Sequence, residues 1–533
     1  MRHIKEFQTE AEFQQAYYGD YVEPWLSLTA GERIDLNKEH DYTQDYLTFE
    51  IIQAGTLGLK MGSAAPAKTV SYRINSGEWT SLTSTTSGAT FNVSLNDVVE
   101  FKGTNTVYND GNSPSYIVYF YGTSKFNVSG NIMSLVYGDE FAGNDVLTDA
   151  NALGYLFYQS NVVDASRMEL PTKVLPDGCY NHMFYQCGYL TSAPRLMSQN
   201  LSDKCYWGMY MSCSSLVSVP DLPAKTLVQY CYQGMFSSCT SLVTAPRILA
   251  TTAAEYCCTQ MYQNCTKLVT GYVPLADTLY ACSCSNMFDE CTSMVTAPEL
   301  PATTVGAKCY ERMFQDCTKL VNAPVLPAQA VMSTSYEYMF SGCSSMITPP
   351  ALPATELGNN CYGYMFQNCT KLTSCPALPA TTLKQSCYIA MFKGCTALTS
   401  IPTLSSLSLA TSCYQSMFEG CTGLNTAVDL PATTPKSYCY YYMFKGCNKL
   451  TSVTVHLLTL TSYCCNYMFQ NCSKLNNLVT YFTTTPSTSY TDNWVSGVAA
   501  TGTFYKLDTA QWDVSGVHGI PTGWTVQYTS LSS

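Results

Sequence analysis

Residues 387–398 read Cys387-Tyr388-Ile389-Ala390-Met391-Phe392-Lys393-Gly394-Cys395-Thr396-Ala397-Leu398. The same block, Cys-Tyr-x-x-Met-Phe-x-x-Cys-Thr-x-Leu followed by Pro-x-Leu-Pro-Ala-Thr-Thr, returns about twelve times along the chain. Its second cysteine stands at Cys187 and recurs every 26 residues to Cys447, and Cys472 follows one residue early. The methionine four places before keeps the same step, from Met183 to Met443 and Met468. Such regularity requires each repeat to meet the same surroundings, which stacked coils provide and a closed globule does not.

Within one repeat, Leu383, Cys387, Met391 and Cys395 fall at i, i+4, i+8 and i+12, with Tyr388 and Phe392 as a neighbouring stripe. This pattern predicts one apolar face of a short helix capped by Thr381 or Thr382. After Cys395, Leu398 points inward among Thr and Ser, which fits a short strand ended by Pro402. The expected fold class is therefore an α/β solenoid of about twelve 26-residue repeats, with helices stacked on one side and parallel strands on the other.

The chain has 533 residues, too many for one compact core, but a solenoid grows by adding coils. Charged residues make up 12% and the net charge is −11, which argues against nucleic-acid binding and attraction to anionic lipid. No apolar run is long enough to span a membrane. The start, Met1-Arg2-His3-Ile4-Lys5-Glu6-Phe7, lacks the apolar core of a secretory signal, so synthesis in the cytoplasm without ordinary export is expected. The 27 cysteines read as a buried ladder of free thiols, because one type recurs at one rung position. Pairs eight apart, such as Cys361 and Cys369, do not match zinc spacing, and only five histidines are present. No metal and no cofactor are expected.

Five segments are predicted. Residues 1–45 form a polar leader suited to docking, with a capping box at Thr9 and Glu12 and a short helix through Phe13, Ala16 and Tyr17. Residues 46–126 alternate in short strands separated by turns such as Asn75-Ser76-Gly77 and Asn109-Asp110-Gly111, an all-β domain like a sandwich. Residues 127–178 form an N-terminal cap with a degenerate repeat, Leu156-Phe157-Tyr158-Gln159-Ser160 echoing Met183 to Cys187. The solenoid occupies 179–480, and 481–533 form a β-rich C-terminal cap holding Trp494, Trp512 and Trp524, half of the six tryptophans.

The Met-Phe-x-x-Cys-Thr-x-Leu core resembles the Ala-Phe-x-x-Cys-x-x-Leu core of BspA-like leucine-rich repeats, with Met-Phe in place of Ala-Phe. The flanks, from Ser71 to Lys102, from Gly130 to Leu135 and from Gly519 to Trp524, look like proteins carried by gut Bacteroides and their phages. The resemblance implies a leucine-rich-repeat solenoid used for attachment. Without export, it implies a phage virion fibre, tail or capsid-appendage protein. Such a protein is made in the host cytoplasm, and its N-terminal region docks to other virion proteins. Its solenoid binds a glycan or protein of the bacterial surface, and it forms a homo-oligomer. A bacterial cell-surface adhesin, a polysaccharide-degrading tailspike and a purely structural virion protein are the alternatives.

Specificity is expected where rungs differ. Trp207, Tyr338, Tyr364, Tyr441, Tyr442 and Tyr467 stand just before the repeat methionine, and their variability suggests exposed rings for sugar or protein recognition. Glu290 with Asp316, and Glu311 with Glu337, are one period apart, so neighbouring rungs would set each acid pair side by side. Close carboxylates could cleave a glycosidic bond or hold calcium, but no platform or nucleophile motif accompanies them. The expectation is a binding protein, not an enzyme, with no catalytic residues.

Overall fold

A computed structural model describes residues 41–530 apart from 112–113 and 171–173. The predicted leader helix at Thr9–Tyr17 lies outside the described residues.

The repeats stack as a solenoid of parallel rungs. The side predicted to be helical contains no helix. In the coil 178–187 the N–H groups alternate between two kinds of partner. Gly178, Tyr180, His182, Phe184 and Gln186 donate to carbonyls of the next coil, from Asp203 to Met211, at 2.7–3.0 Å. Between them, Asn181, Met183, Tyr185 and Cys187 donate three residues back within their own coil, at 3.0–3.3 Å. Every N–H of this coil is thus paired, as burial demands. Each fourth residue is left-handed, with φ of +62° at Gly178, +53° at His182 and +61° at Gln186, and later coils repeat the pattern.

The physical reason is the period. An α-helix turns about 100° per residue, so residues four apart slip by about 40° each step. From Leu383 to Cys395 that slip would carry the apolar face about 120° around a helix. Overlapping turns with one left-handed residue in four keep a strict four-residue period. They bury Cys387, Tyr388, Met391, Phe392 and Cys395 together. The helix expectation, and with it the α/β label, is corrected to a β-solenoid.

The other sides of the coil are short parallel rungs. Ser192 pairs Ser218, Thr244 pairs Thr270 and Thr296 pairs Asn322, each one period apart. Longer parallel sheets form where the sequence is β-branched. The last sheet joins β14 (Val428–Leu430), β15 (Ser452–Val455), β16 (Asn477–Thr480), β17 (Thr503–Leu507) and β18 (Thr525–Thr529) in chain order.

The interior is a set of ladders. Aromatic rings stack from Phe157 and Phe184 through Tyr210, Phe236 and their successors to Phe469 and Trp494, with centroids 4.9–6.0 Å apart. Such contacts contribute about 0.5–1.5 kcal/mol each beyond area burial. All cysteines are free, and all but Cys375 are buried. The second cysteine of each repeat donates its thiol to the aromatic residue's carbonyl in the preceding coil. Cys187, Cys213 and Cys291 reach Phe157, Phe184 and Tyr262 at 2.8, 3.0 and 3.2 Å. Burial pushes the thiols of Cys265, Cys421 and Cys472 up to about 12, so they stay protonated and able to donate.

Before the coils, a six-stranded sheet runs β4 (Thr80–Thr83), β3 (Thr69–Ile74), β6 (Val98–Gly103), β1 (Leu47–Gln53), β8 (Lys125–Asn131), β9 (Val162–Glu169). A three-stranded sheet of β5 (Ala89–Val93), β2 (Gly55–Met61) and β7 (Val118–Gly122) faces it, with Phe120 against Phe49 and Phe101 at 4.7 and 5.0 Å. This β region is continuous with the solenoid. Asp164 of β9 pairs in parallel with Ser192 of the next coil. Tyr108 and Phe120 donate N–H groups to Ala152 and Leu156 of the first coil, at 2.7 and 2.8 Å. Phe120 also stacks on Phe157, the first ring of the long ladder, at 5.4 Å. At the far end the indole N–H groups of Trp494, Trp512 and Trp524 donate to the carbonyls of Gly519, Phe482 and Ala499. Among the described residues no helix is long and apolar enough to cross a membrane.

Tyr210 and Tyr262 occupy phenylalanine positions of the ladder, and their buried hydroxyls have no hydrogen-bond partner. A buried orphan hydroxyl costs free energy. Tyr210→Phe and Tyr262→Phe are expected to stabilise the fold by about 1 kcal/mol each. Chemical denaturation of the two variants checks this, and a loss of stability would show that the hydroxyls have partners.

Candidate functional site

The variable residues of the turn side collect into ledges because coils stack in register. Near the C-terminal end, five tyrosines from two adjacent coils meet. Tyr438 stacks on Tyr463 at 5.0 Å, and Tyr442 lies against Tyr467 at 4.9 Å with the rings tilted by 32°. Tyr441 meets Tyr442 edge-on at 4.2 Å and Tyr467 at 5.9 Å. Lys445 Nζ lies 4.4 Å from the centre of the Tyr442 ring, and Tyr467 Oη donates to Asp492 Oδ2 at 2.6 Å. That bond raises the pKa of the Tyr467 phenol.

A second ledge lies in the middle of the solenoid. Tyr338 and Tyr364 stack at 4.4 Å with planes 3° apart, and the Arg312 guanidinium sits 4.5 Å from the Tyr338 ring centre. Burial pushes the Tyr338 phenol up to about 12. Glu311 and Glu337 flank this ledge. Lys308 and Arg312 lie 3.8 Å from the Glu311 carboxylate, and Asn360 donates to Glu337 at 3.4 Å. Burial raises the Glu337 pKa, with the Glu311 charge adding to it.

Trp207 lies in a third cluster at the N-terminal coils, where it meets His182 edge-on at 4.8 Å. His182 stacks in turn on Tyr155 at 4.7 Å, and Tyr158 stacks on Tyr185 at 5.6 Å. The His182 ring is buried, which lowers its pKa to about 4 and leaves it neutral at pH 7.

Tyr338, Tyr364, Tyr441, Tyr442 and Tyr467 are half-buried by one another, not freely exposed. Four of them, all but Tyr441, sit at left-handed positions with φ of +56° to +58°. A bulky side chain there costs roughly 1–2 kcal/mol, which stacking on the adjacent coil helps offset. Tyr438 and Tyr463 share that geometry and complete the C-terminal ledge. They went unread because they precede the block's first cysteine, outside the variable pairs. The signal that could have found them is the left-handed column itself.

Glu290 and Asp316 stand on adjacent coils of one column, and Asp289 lies beside them. Asp289 is only 7% exposed; its Oδ2 accepts from Gln263 at 2.9 Å and its Oδ1 has no partner. Burial raises its carboxyl to about 6, and the charges of Glu290 and Asp316 add to the shift. Among the described residues no group of three or more His, Cys, Asp or Glu is arranged to hold a metal ion. The cluster therefore presents one protonatable acid beside two others.

Residues 259–490 are similar to BspA-type leucine-rich repeats. The matching family is the BspA type leucine rich repeat region, in six copies over 259–389 and 359–490. No curated protein matches the chain. Among solved structures the chain is similar to TLR13 in the crystal structure of the TLR13-ssRNA13 complex, at 11% identity and a TM-score of 0.22. That alignment covers 69% of this chain and 50% of the other, so this chain spans half of that chain's length. At this TM-score the likeness carries no argument.

A carboxyl raised from its ordinary range near 3.8 to about 6 makes the folded state less stable as pH rises through that window. Asp289→Asn should remove this pH dependence and stabilise the protein at pH 7, on the order of 2 kcal/mol. Denaturation midpoints at pH 4 and pH 7 check it. An unchanged gap between the two midpoints would contradict the assignment.

Proposed function

We propose that this chain is an attachment protein of a phage virion. On this reading it is a fibre, tail or capsid-appendage component that binds the surface of a Bacteroides host through its solenoid. Its N-terminal β region docks to other virion proteins, and several copies assemble together. The carrying observation is the tyrosine ledge of Tyr438, Tyr441, Tyr442, Tyr463 and Tyr467. Five rings are concentrated on two coils, and all but Tyr441 sit at backbone positions that disfavour large side chains. Stacked tyrosines offer an apolar face and hydroxyls together, the chemistry that suits a sugar or a protein epitope. Leucine-rich-repeat solenoids of this type are typical of surface and adhesion proteins and generally act as non-catalytic scaffolds, in keeping with binding without turnover. The Arg312–Tyr338–Tyr364 ledge would extend the same surface.

The similarity to BspA-type repeats also supports a second reading, a bacterial cell-surface adhesin. The two differ in where the protein is found: on particles from lysed cells, or on uninfected bacteria.

The test uses residues these columns already hold. Tyr442→Ser copies Ser416, Tyr467→Asn copies Asn493 and Tyr441→Gln copies Gln415. The purified full-length chain should bind host cells saturably, and the triple variant should bind at least tenfold more weakly with an unchanged melting temperature. An antibody against the coils should label particles and block adsorption. Wild-type protein that fails to bind host cells, or antibody labelling of uninfected cells alone, would overturn the phage attachment reading.

A further inference from the structure

One column on the solenoid carries a charge pattern with a period of its own. The residue two places after the second cysteine, just before the buried leucine or methionine, reads Ser241, Lys267, Ser293, Lys319, Ser345, Lys371. Serine and lysine alternate over six successive coils. The three lysines are exposed and the serines are half-buried. The register at this edge is fixed by the backbone. Val269 N–H donates to Val243 O at 2.8 Å and Val321 N–H to Val295 O at 2.9 Å. Beside the column the threonine hydroxyls bridge the same steps, Thr292 to Thr266 O at 3.3 Å and Thr396 to Thr370 O at 3.3 Å. Lysines 52 residues apart are therefore two coils apart, on the order of 10 Å along the axis.

None of the three makes an ion pair among the described residues. Asp316, three residues before Lys319, and Glu290, on the same neighbouring column, make none with them either. On a chain of net charge −11, a row of unpaired cations is a local departure from the overall field. Two residues on from the first five of them, Val243, Val269, Val295, Val321 and Ile347 form a parallel apolar stripe, each 37–49% exposed, and Thr373 takes the same place after Lys371. The surface thus offers one cation for every two coils, hydroxyls between them and an apolar rail alongside.

We propose that this edge binds an extended anionic polysaccharide lying along the solenoid axis, with one acidic group in every second sugar. Such a chain repeats its charge on the same scale as the lysines. Its uncharged sugars would face the serines, and their C–H faces would lie on the valine rail. A nucleic-acid strand carries a phosphate about every 3.4 Å and is too densely charged for this spacing. The inference rests on the attachment reading and names the class of host polymer for it.

The experiment measures binding of the full-length chain to three polymers. Hyaluronan carries a carboxylate on alternate sugars, alginate carries one on every sugar, and dextran carries none. Wild-type protein should prefer hyaluronan to both. Lys267→Ser/Lys319→Ser/Lys371→Ser, which extends the serines already in the column, should lose at least tenfold in hyaluronan affinity without a change in melting temperature. Ser241→Lys/Ser293→Lys/Ser345→Lys halves the charge period and should shift preference towards alginate by a similar factor. Equal binding of dextran, or hyaluronan affinity unchanged by the Lys→Ser variant, would overturn the inference, as would alginate preference in every form of the protein. If host-cell adsorption persists while hyaluronan binding is absent, the inference fails and attachment stands. If wild-type protein does not adsorb to cells at all, attachment itself fails.

Discussion

The structure depends on how backbone N–H groups are shared between and within coils. On the turn side they alternate, one to the next coil and one to the residue three back. In the coil 178–187 this pairing leaves no orphan backbone donor, which in a buried surface would cost about 1–3 kcal/mol each. It also forces one left-handed residue in four. Glycine takes several of these positions without strain, as at Gly208, Gly234 and Gly394. Elsewhere Asn, Ser, Gln and Tyr accept the strain, and the tyrosines recover part of it by stacking on their neighbours.

The interior follows from the same rule. A strict period of four puts two adjacent residues inward and two outward, so each coil contributes Cys-Tyr, Met-Phe and Cys to fixed columns. A column repeated at coil spacing stacks aromatic rings face to face. It also lets a small thiol reach the carbonyl of the coil before. Cysteine suits that place because it is small, apolar and still a weak donor. The thiols serve packing, and burial raises those of Cys265 and Cys421 so that they stay protonated. Both ends close by extending the ladder: Phe120 meets Phe157 at one end, and the buried Trp494 ends the stack at the other.

The sequence made the solenoid, the inward columns and the free thiols readable, because a 26-residue period maps directly onto stacked coils. Phe157 as a first, degenerate rung was equally visible. The helix was not, because Leu383, Cys387, Met391 and Cys395 satisfy an i, i+4 pattern over any short window. Only the absence of drift over three steps separates a period of four from one of 3.6. The ledges were half visible. Tyr338 with Tyr364, and Tyr441 with Tyr442 and Tyr467, stood out as variable residues, but Tyr438 and Tyr463 needed the left-handed column to be seen. The acid pairs at Glu290 and Asp316 and at Glu311 and Glu337 were legible as neighbours by period. The buried state of Asp289 was not, since long polar residues of its column, such as Gln263, Gln315 and Lys393, are half-buried.

Gln260 offers the most direct test of the turn ladder. Its φ is +57°, and the same column holds Gly208 and Gly234 in the two preceding coils. In a helix, Gln260→Gly would cost about 0.5–1 kcal/mol through lost helix propensity. At a left-handed turn position the sign reverses, and glycine should stabilise by about 1 kcal/mol. A rise in melting temperature and denaturation midpoint for Gln260→Gly is the result this account predicts. A fall in both would contradict it.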